Sequence, residues 1–482
     1  MYRTVTQLDA LSGLLAQFFP QLVTRFNLPE KSVQDRDVFA LRLRAGAGDE
    51  RRGVLLVAGT HSRELMNPDC LIEMAVDLVV SYLNGTDIVL GGRRWPANDI
   101  KVILETIDLY LVPCINPDGR QFVMTVDDLW RKNRRDNPGT PCDGVDLNRN
   151  ADFLWGVTQG QTSCAPCSDV YVGPAAASEP ETRNVRWMLD NHRIDCFADV
   201  HSFSELVLYP WGHAPTQTTN PAQRFTTLPS GTCQPIAVPG YQEYMPPRDV
   251  QRFSTVAQRV VDAISAVRGR VYTPQTGIAL YPTTGTQSDY AYSRHIADPA
   301  KRKVFGYTLE TGPALPDVRE SFHPNNPDPI KEEAESGLLA LVQQCICAIE
   351  LIGFRLLERD DEVVALRRIR DAFLSTTDAG RDWIALFERV QTPLIGALLD
   401  DDDLGRRAAG LVERAALLVS DDTAELDGQV VSDAAELVNQ LADRSGSRSV
   451  RRDLAAVARR LGESRGETAR TLIEGLMSRG PR

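Results

Sequence analysis

Three apolar, strand-like runs in this chain end at residues whose side chains can bind metal or transfer protons. The runs are 54–58 before His61, 196–200 before His201, and 303–310, which ends on Glu310. Predicted helices separate them, which favours an α/β fold: a mixed, mostly parallel sheet flanked by helices. Ligand sites in such sheets form at the carboxyl ends of the strands, so residues distant in sequence can meet there.

The first of these runs leads into Gly59-Thr60-His61-Ser62-Arg63-Glu64. An imidazole and a carboxylate suit zinc, and two His with one Glu and an open fourth position make a catalytic zinc set. A His-x-x-Glu pair arises often by chance. The metal hypothesis therefore depends on whether the chain supplies a third ligand, a base and groups that bind substrate.

Composition restricts the partners and the location. The formal net charge of −12 argues against a nucleic-acid binder, and no apolar run reaches membrane-spanning length. The N-terminus reads as a helix, with Thr6 as a plausible N-cap, rather than as a signal peptide. We expect no membrane contact and a cytoplasmic location, unless export follows a route that the sequence does not show.

Nine cysteines are present. An odd number without a signal peptide argues against a full disulfide framework, so we expect most thiols to be reduced. Cys164 and Cys167 form a lone C-x-x-C pair, which is poor support for a structural zinc.

The chain divides at about residue 354. Strands are predicted at 37–44, 53–58, 107–114, 196–200 and 303–310, and helices at 68–83 and 250–267. A capping box at Ser178–Glu181 is expected to open another helix that runs to about Asn191. Residues 355–482 lack strand patterns and read as a bundle of short helices, either a structural appendage or a module for a protein partner or self-association.

From about residue 5 to 350 the chain resembles the zinc metallocarboxypeptidases of the carboxypeptidase A and T type. Matching motifs occur in the order and near the spacing of that family. They are Gly59–Glu64, Asn116–Gly119, Trp130–Arg134, Gly144–Asn150, Asp199–Ser204, Tyr281–Asp289 and Thr308–Gly312. The resemblance implies one zinc ion, held by His61, Glu64 and His201, and an enzyme that removes residues from the C-termini of peptides or proteins.

The same resemblance implies roles for other residues. Glu310 is expected to be the general base, Arg131 the oxyanion clamp and Tyr281 the phenol that closes over the substrate. The substrate-binding residues implied are Arg63, Asn148, Arg149 and Ser288. A guanidinium matches a carboxylate with two parallel hydrogen bonds, so Arg149 with Asn148 favours an exopeptidase. The four remaining histidines, including His213, are read as ordinary surface or loop residues.

Specificity and covalent details also follow by resemblance. Ser288 stands at the base of the side-chain pocket, where an acidic residue would select Lys or Arg, so we expect neutral C-terminal residues. Cys142 and Cys167 occupy positions that relatives often bridge, although a reducing cytoplasm would keep them as thiols. Cis peptide bonds are expected at Ser202–Phe203 and Pro210–Trp211. The catalytic pattern begins near residue 1, so activation by removal of a pro-segment is not expected.

Several alternatives stay open. A cell-wall peptidase that cuts next to diaminopimelate would use the same metal and base. A non-catalytic peptide-binding protein is a second alternative, against which the joint retention of ligands, base, clamp and lid argues. Hydrolases of succinyl amino acids on the same fold are a weaker third.

Overall fold

The computed structural model describes residues 2–46, 51–158, 160–214, 217–227, 233–235, 241–346, 377–383, 403–408, 427–444, 448–464 and 467–478, with a few single positions between 386 and 414. The chain divides into two compact units, Met1–Cys345 and Ile346–Arg482. The predicted boundary at residue 354 lies outside the described residues.

An eight-stranded sheet forms the centre of the first unit. Its strands, in chain order, are β1 Val23–Asn27, β2 Phe39–Leu43, β3 Arg52–Ala58, β6 Ile107–Val112, β7 Ile194–His201, β8 Leu206–Tyr209, β11 Thr273–Thr276 and β12 Phe305–Glu310. They are ordered β1-β2-β6-β3-β7-β12-β8-β11. The pairs β6/β3, β3/β7, β7/β12 and β8/β11 are parallel, whereas β1/β2, β2/β6 and β12/β8 are antiparallel. The predicted mixed, mostly parallel sheet is therefore confirmed.

Two small ribbons and ten helices accompany this sheet among the described residues of the first unit. The ribbons are β4 Ile88–Leu90 with β5 Arg93–Trp95, and β9 Gln217–Thr218 with β10 Glu243–Tyr244. The helices are α1 Val5–Phe18, α2 Met66–Asn84, α3 Ala97–Thr106, α4 Pro117–Thr125, α5 Pro180–Asn191, α6 Pro247–Arg268, α7 Gly277–Leu280, α8 Gln287–Ala297, α9 Val318–Phe322 and α10 Asp328–Cys345.

The central strands are buried along almost their whole length. Every residue of β6 is buried, as are Gly53–Ala58 of β3 and all residues of β7 except Asp195. Parallel strands that are covered on both faces have continuous apolar sequences, which is why the predicted bounds of these strands are close to the observed ones. Their carboxyl ends meet at one edge, where the candidate site lies.

Two predicted helix starts are wrong. The N-cap of α1 is Thr4, not Thr6. The Thr4 hydroxyl accepts from the backbone N–H of Gln7, and the Gln7 side-chain oxygen accepts from the backbone N–H of Thr4. The predicted capping box at Ser178 does not form either. Glu179 stands at the N-cap of α5 without a side-chain cap, because the Ser178 hydroxyl donates to the Glu179 carboxylate instead.

The expectation that most cysteines are reduced is also wrong. Among the eight cysteines that the structure describes, three disulfides form, Cys142–Cys167, Cys164–Cys233 and Cys196–Cys345, while Cys70 and Cys114 are free and buried. Folding brings these cysteines together over sequence separations of 25, 69 and 149 residues. A count of cysteines carries no information about such proximity.

The second unit is helical where it is described. Its longer helices are α11 Gly428–Arg444, α12 Arg448–Glu463 and α13 Ala469–Ser478. Leu437 and Leu441 of α11 and Leu454 of α12 form a small core together with Leu404. Among the described residues of both units, no helix is long and apolar enough to cross a membrane.

Candidate metal centre and substrate pocket

The carboxyl ends of β3, β7 and β12 bring the predicted site residues together. His61 lies in the turn after β3, where Gly59 adopts φ 71°, a left-handed conformation that favours glycine. His201 is the last residue of β7, and Glu310, the last residue of β12, pairs with it in register. The sheet itself therefore positions two of the three strand-end residues.

His61, Glu64 and His201 converge in a buried cluster. One ligand atom from each lies within 4.8 Å of the other two. Nδ1 of His61 is 2.7 Å from Glu64 Oε1 and 3.0 Å from Nδ1 of His201, which is 3.0 Å from Glu64 Oε2. Among the described residues this is the one group of three or more His, Cys, Asp or Glu side chains that could hold a metal ion.

The outer nitrogens of both imidazoles face carboxylates. Nε2 of His61 is 3.1 Å from Asp146 Oδ1, and Nε2 of His201 is 2.8 Å from Asp199 Oδ2. Metal-binding histidines usually donate their other N–H to a carboxylate, which fixes the ring and its tautomer. Both Nδ1 atoms are thus left to face the same space as Glu64, and the three residues fit a zinc ion.

The electrostatics of this cluster favour a cation. Burial alone would raise the pKa of Glu64, but the two neighbouring imidazoles lower it below its ordinary range. Burial would lower the pKa of His201, yet the carboxylates of Asp199 and Glu64 raise it well above its ordinary value. Three buried carboxylates around two imidazoles create the negative field that suits a divalent ion.

Arg131 lies beside this cluster. Its Nε and Nη2 donate to Asp146 Oδ2 at 3.0 and 2.9 Å, a two-point contact that fixes the plane of the guanidinium. Asp146 thereby links Arg131 to His61. Burial would raise the pKa of Asp146, but Arg131 and Arg149 hold it well below its usual range.

Arg149 and Asn148 lie in a short 3₁₀ turn that follows Asp146. Arg149 is 2% exposed, and it donates to the backbone carbonyls of Gln161 and Asn148. Its one described ion pair is a contact with Asp146 at 4.0 Å. The side-chain Oδ1 of Asn148 accepts from the backbone N–H of Gln287 at 3.0 Å, which connects this turn to the start of α8.

A cavity of about 30 Å³ opens next to these residues. Apolar Leu208 and Leu280 line it together with polar residues, which include Asn148, Arg149, Tyr281, Thr283, Thr286, Ser288, Asp289, Thr308 and Glu310. The Thr308 hydroxyl donates to Ser288 Oγ at 3.2 Å. Burial and the Glu64 carboxylate raise the pKa of Glu310 to about 8, against the opposing effects of His201 and Arg131.

Arg63 does not line this cavity. Its guanidinium stacks on Phe322 at 4.5 Å from the ring centre, donates to the Leu129 carbonyl and lies 3.8 Å from Asp169. His213, interpreted as a surface or loop residue, lies in a loop but not at the surface: it is 1% exposed, and its Nε2 is 3.1 Å from Glu243. The two expected cis peptide bonds, Ser202–Phe203 and Pro210–Trp211, are present.

Sequence reasoning missed three carboxylates of the site. Asp146 and Asp199 hold the imidazoles, and Asp289 lines the cavity, where its Oδ2 accepts from the Gly212 amide at 3.0 Å. Burial raises the pKa of Asp289 to about 6. Asp146 and Asp199 stand inside the motifs that contain Arg149 and His201, so an acid placed two or three residues before a site residue was the available signal.

The family model described as "Zinc carboxypeptidase" matches residues 9–336. Carboxypeptidase A4 of Mus musculus is 29% identical over 315 residues, which is 64% of this chain and 64% of that protein. Carboxypeptidase B of Astacus astacus is 28% identical over 335 residues, covering 67% of this chain and 93% of that protein. Zinc carboxypeptidase A 1 of Anopheles gambiae is 30% identical over 347 residues, covering 71% and 67%.

Solved structures share the fold. The thrombin activatable fibrinolysis inhibitor matches with a TM-score of 0.56 at 20% identity, over 71% of this chain and 74% of the other. Carboxypeptidase A of Helicoverpa armigera matches with a TM-score of 0.54 at 25% identity, over the same shares. The family model covers well over half of the sequence, and this chain belongs to the zinc carboxypeptidase family.

Proposed function

We propose that the protein is a zinc-dependent carboxypeptidase that removes neutral residues from peptide C-termini. The observation that carries the proposal is the position of Arg149, a buried cation at the wall of the cavity that contains Glu310. Its one described carboxylate neighbour, Asp146, is already engaged by Arg131. A substrate carboxylate would supply the missing counter-charge, which an internal peptide segment lacks.

His61, Glu64 and His201 would hold one zinc ion, whose chemistry in such sites is to acidify water and polarise a carbonyl. Glu310 acts as the general base. It accepts a proton from the attacking water as the new C–O bond forms, and it passes that proton to the amine nitrogen as the C–N bond breaks.

Arg131 stabilises the negative charge that develops on the carbonyl oxygen. Asp146 already holds the guanidinium in one plane, so little reorganisation is needed when that charge appears. Loss of one such donor commonly costs about 10²–10³ in rate.

Arg149 and Asn148 bind the substrate's terminal carboxylate, and Tyr281 covers the bound residue from the edge of the cavity. Arg149 lies under the Tyr281 ring, 5.9 Å from its centre, so the phenol and the carboxylate clamp are neighbours. Arg63 does not line the cavity, and its proposed role is to help receive the incoming peptide.

The preference for neutral residues rests on the hydroxyl-rich lining. Ser288, Thr283, Thr286 and Thr308 all line the cavity and are uncharged. Asp289 is the exception, and its raised pKa reduces its charge in mildly acidic solution only. If the wild type prefers Lys or Arg instead, Asp289 and not Ser288 sets the preference, and Asp289→Asn removes it.

Paired peptides test the proposal. The zinc-loaded wild type should hydrolyse a peptide with a free C-terminal carboxylate and leave the same peptide with a C-terminal amide intact. Arg149→Gln should lower kcat/KM on the free acid by about 10–100-fold, the usual effect of losing a hydrogen bond to a charged group. Arg302→Gln, at an exposed ion pair with Asp195, is the matched control. Equal cleavage of acid and amide would reject the carboxypeptidase assignment.

Assays on the same purified protein also distinguish two alternative functions. Hydrolysis of muropeptides with no cleavage of ordinary peptides would favour a peptidase specific for diaminopimelate bonds. Tight binding of the free acid without turnover would favour a peptide-binding protein.

The second unit and the location stay open to experiment. We propose that residues 355–482 serve a protein partner or self-association, because no matched catalytic residue lies beyond Glu310. The cytoplasmic location stays a prediction, and the three disulfides oppose it, since such bonds persist mainly in oxidising compartments.

A further inference from the structure

A buried hydrogen-bonded group joins the loop of Arg131 to the loop of Asp146. Its centre is Asn133, two residues after Arg131. The side-chain Oδ1 of Asn133 accepts from the backbone N–H of Val145 at 2.8 Å. The backbone N–H of Asn133 donates to the backbone carbonyl of Val145 at 3.1 Å. Val145 directly precedes Asp146, so these two bonds set the spacing of the two loops.

The other end of the Asn133 side chain meets two carboxyl groups. Its Nδ2 donates to Glu179 Oε2 at 2.8 Å and to Glu181 Oε2 at 3.1 Å. All three residues have no exposed surface. An amide nitrogen carries two hydrogens, so each carboxyl group receives one of them, and the two groups are close neighbours away from water.

The two carboxyl groups are compensated unequally. Glu179 Oε1 receives Arg135 Nη1 at 3.0 Å and the Ser178 hydroxyl. The Glu181 carboxyl group receives the Val33 backbone amide, at 3.3 Å from Oε1, and its own backbone N–H, but no described Lys or Arg forms an ion pair with it.

The charges farther out do not change this balance. Arg183, also in α5, is bound by Glu30, and Arg135 is bound by Glu179. The N-terminus of α5 favours an ionised Glu181, whereas complete burial beside an ionised Glu179 opposes it. A second buried anion without a cation is costly, so the less compensated group keeps its proton.

We propose that Glu181 is a positioning residue that works as a neutral carboxyl group, holding Asn133 so that Arg131 and Asp146 keep their catalytic geometry. This inference rests on the proposed function of Arg131.

A loss of activity in alkaline solution follows. Burial raises the pKa of Glu181 from 4.5 to about 8, with the Glu179 carboxylate adding to the effect. Above that pH, Glu181 would ionise beside Glu179, and the repulsion between the two carboxylates would move them apart and shift the Asn133 side chain that both of them bind. The effect should fall on kcat more than on KM, because Arg131 acts on the transition state.

Glu181→Gln tests this proposal, since the amide is a neutral mimic of the protonated acid. In the full zinc-loaded chain, kcat and KM would be measured from pH 6 to 10. The variant should stay within about threefold of wild type at pH 7 and lose about tenfold less kcat than wild type at pH 9.5. Glu335→Gln is the matched control, because Glu335 is a buried carboxyl with a raised pKa in α10, away from these loops. It should follow the wild-type profile.

Unfolding by urea, followed by tryptophan fluorescence, gives a readout that does not need activity. The quantity to follow is the ratio of the folding equilibrium constant of the wild type to that of Glu181→Gln. This ratio should fall by about tenfold per pH unit between pH 4.5 and pH 8, because the folded wild type keeps a proton that the unfolded chain releases. A constant ratio, or a variant whose kcat falls with wild type at high pH, overturns the proposal. A wild type inactive at every pH defeats the proposed function and the catalytic role together, while the unfolding ratio still decides the protonation of Glu181.

Discussion

Glu310 pairs in register with His201 at the ends of adjacent parallel strands. The spacing of the proposed base from one proposed metal ligand is therefore set by main-chain hydrogen bonds of the sheet rather than by a loop. This rigidity suits a base that must accept a proton at one defined point.

Replacement of that base should separate metal binding from hydrolysis. We expect Glu310→Gln to keep zinc and to lose about 10²–10⁴ in kcat, because an amide cannot accept the proton. Metal analysis and steady-state kinetics on the same sample measure both quantities. Activity near that of wild type would remove Glu310 from this role.

Asp199 should affect zinc affinity through His201. Asp199→Asn weakens the bond to His201 Nε2, and we expect zinc to bind about 10–100-fold less tightly. Competition with a chelator measures the affinity. Asp118→Asn, a buried carboxylate that pairs with Arg36, is the control and should leave the affinity unchanged. Equal affinities for both variants would contradict the role of Asp199.

A buried acid between α2 and α10 should make stability depend on pH. Burial and the carboxylate of Asp77 raise the pKa of Glu335 well above its ordinary value. The folded protein thus holds a proton that the unfolded chain releases near pH 4.5, so the stability contributed by Glu335 falls as pH rises through that range and up to its folded pKa.

Glu335→Gln should remove this dependence and gain about 1 kcal/mol or more of stability over wild type at neutral pH. Urea unfolding at pH 5 and pH 8 tests the difference, with exposed Glu320→Gln as control. If the stability advantage of Glu335→Gln over wild type is the same at pH 5 and pH 8, Glu335 is not protonated in the folded protein.

Removal of the helical region should spare the chemistry. A chain ending near residue 354 is expected to bind zinc and cleave small peptides at close to the full-length rate, because all proposed catalytic residues lie in the first unit. Oligomeric state or activity on a protein substrate is where a change is expected. A folded but inactive truncated protein would mean that the helical region completes the site.

Thiol labelling tests the cysteine pairing. In denatured, unreduced protein, Cys70 and Cys114 should react, whereas the six paired cysteines should react only after reduction. Peptide mapping by mass spectrometry identifies the pairs. Full labelling without reductant would restore the expectation of reduced thiols.

Continuous apolar runs made the central strands predictable. The run at 54–58 lies within β3 and the run at 196–200 within β7, because both strands are buried on both faces. Helix starts were less predictable, since a cap depends on where one hydroxyl points. Ser178 had the sequence of a cap, yet its hydroxyl turns to Glu179.

The convergence of His61, His201 and Glu310 was predictable, because each of them stands at or just after the end of an apolar strand. The supporting carboxylates of the site were not, because Asp146 acts by touching His61 and Arg131, which lie 85 and 15 positions away. The pairing of Cys196 with Cys345 had no local pattern at all, for it depends on how α10 packs against the sheet.

That last bond has a mechanical consequence. Cys345 ends both α10 and the first unit, and Cys196 lies in β7, whose last residue is the proposed ligand His201. A pull on the chain after Cys345, or local unfolding that spreads back from it, reaches this disulfide before it can separate α10 from the sheet. Such a pull is passed through the disulfide to β7, which is held in the sheet between β3 and β12.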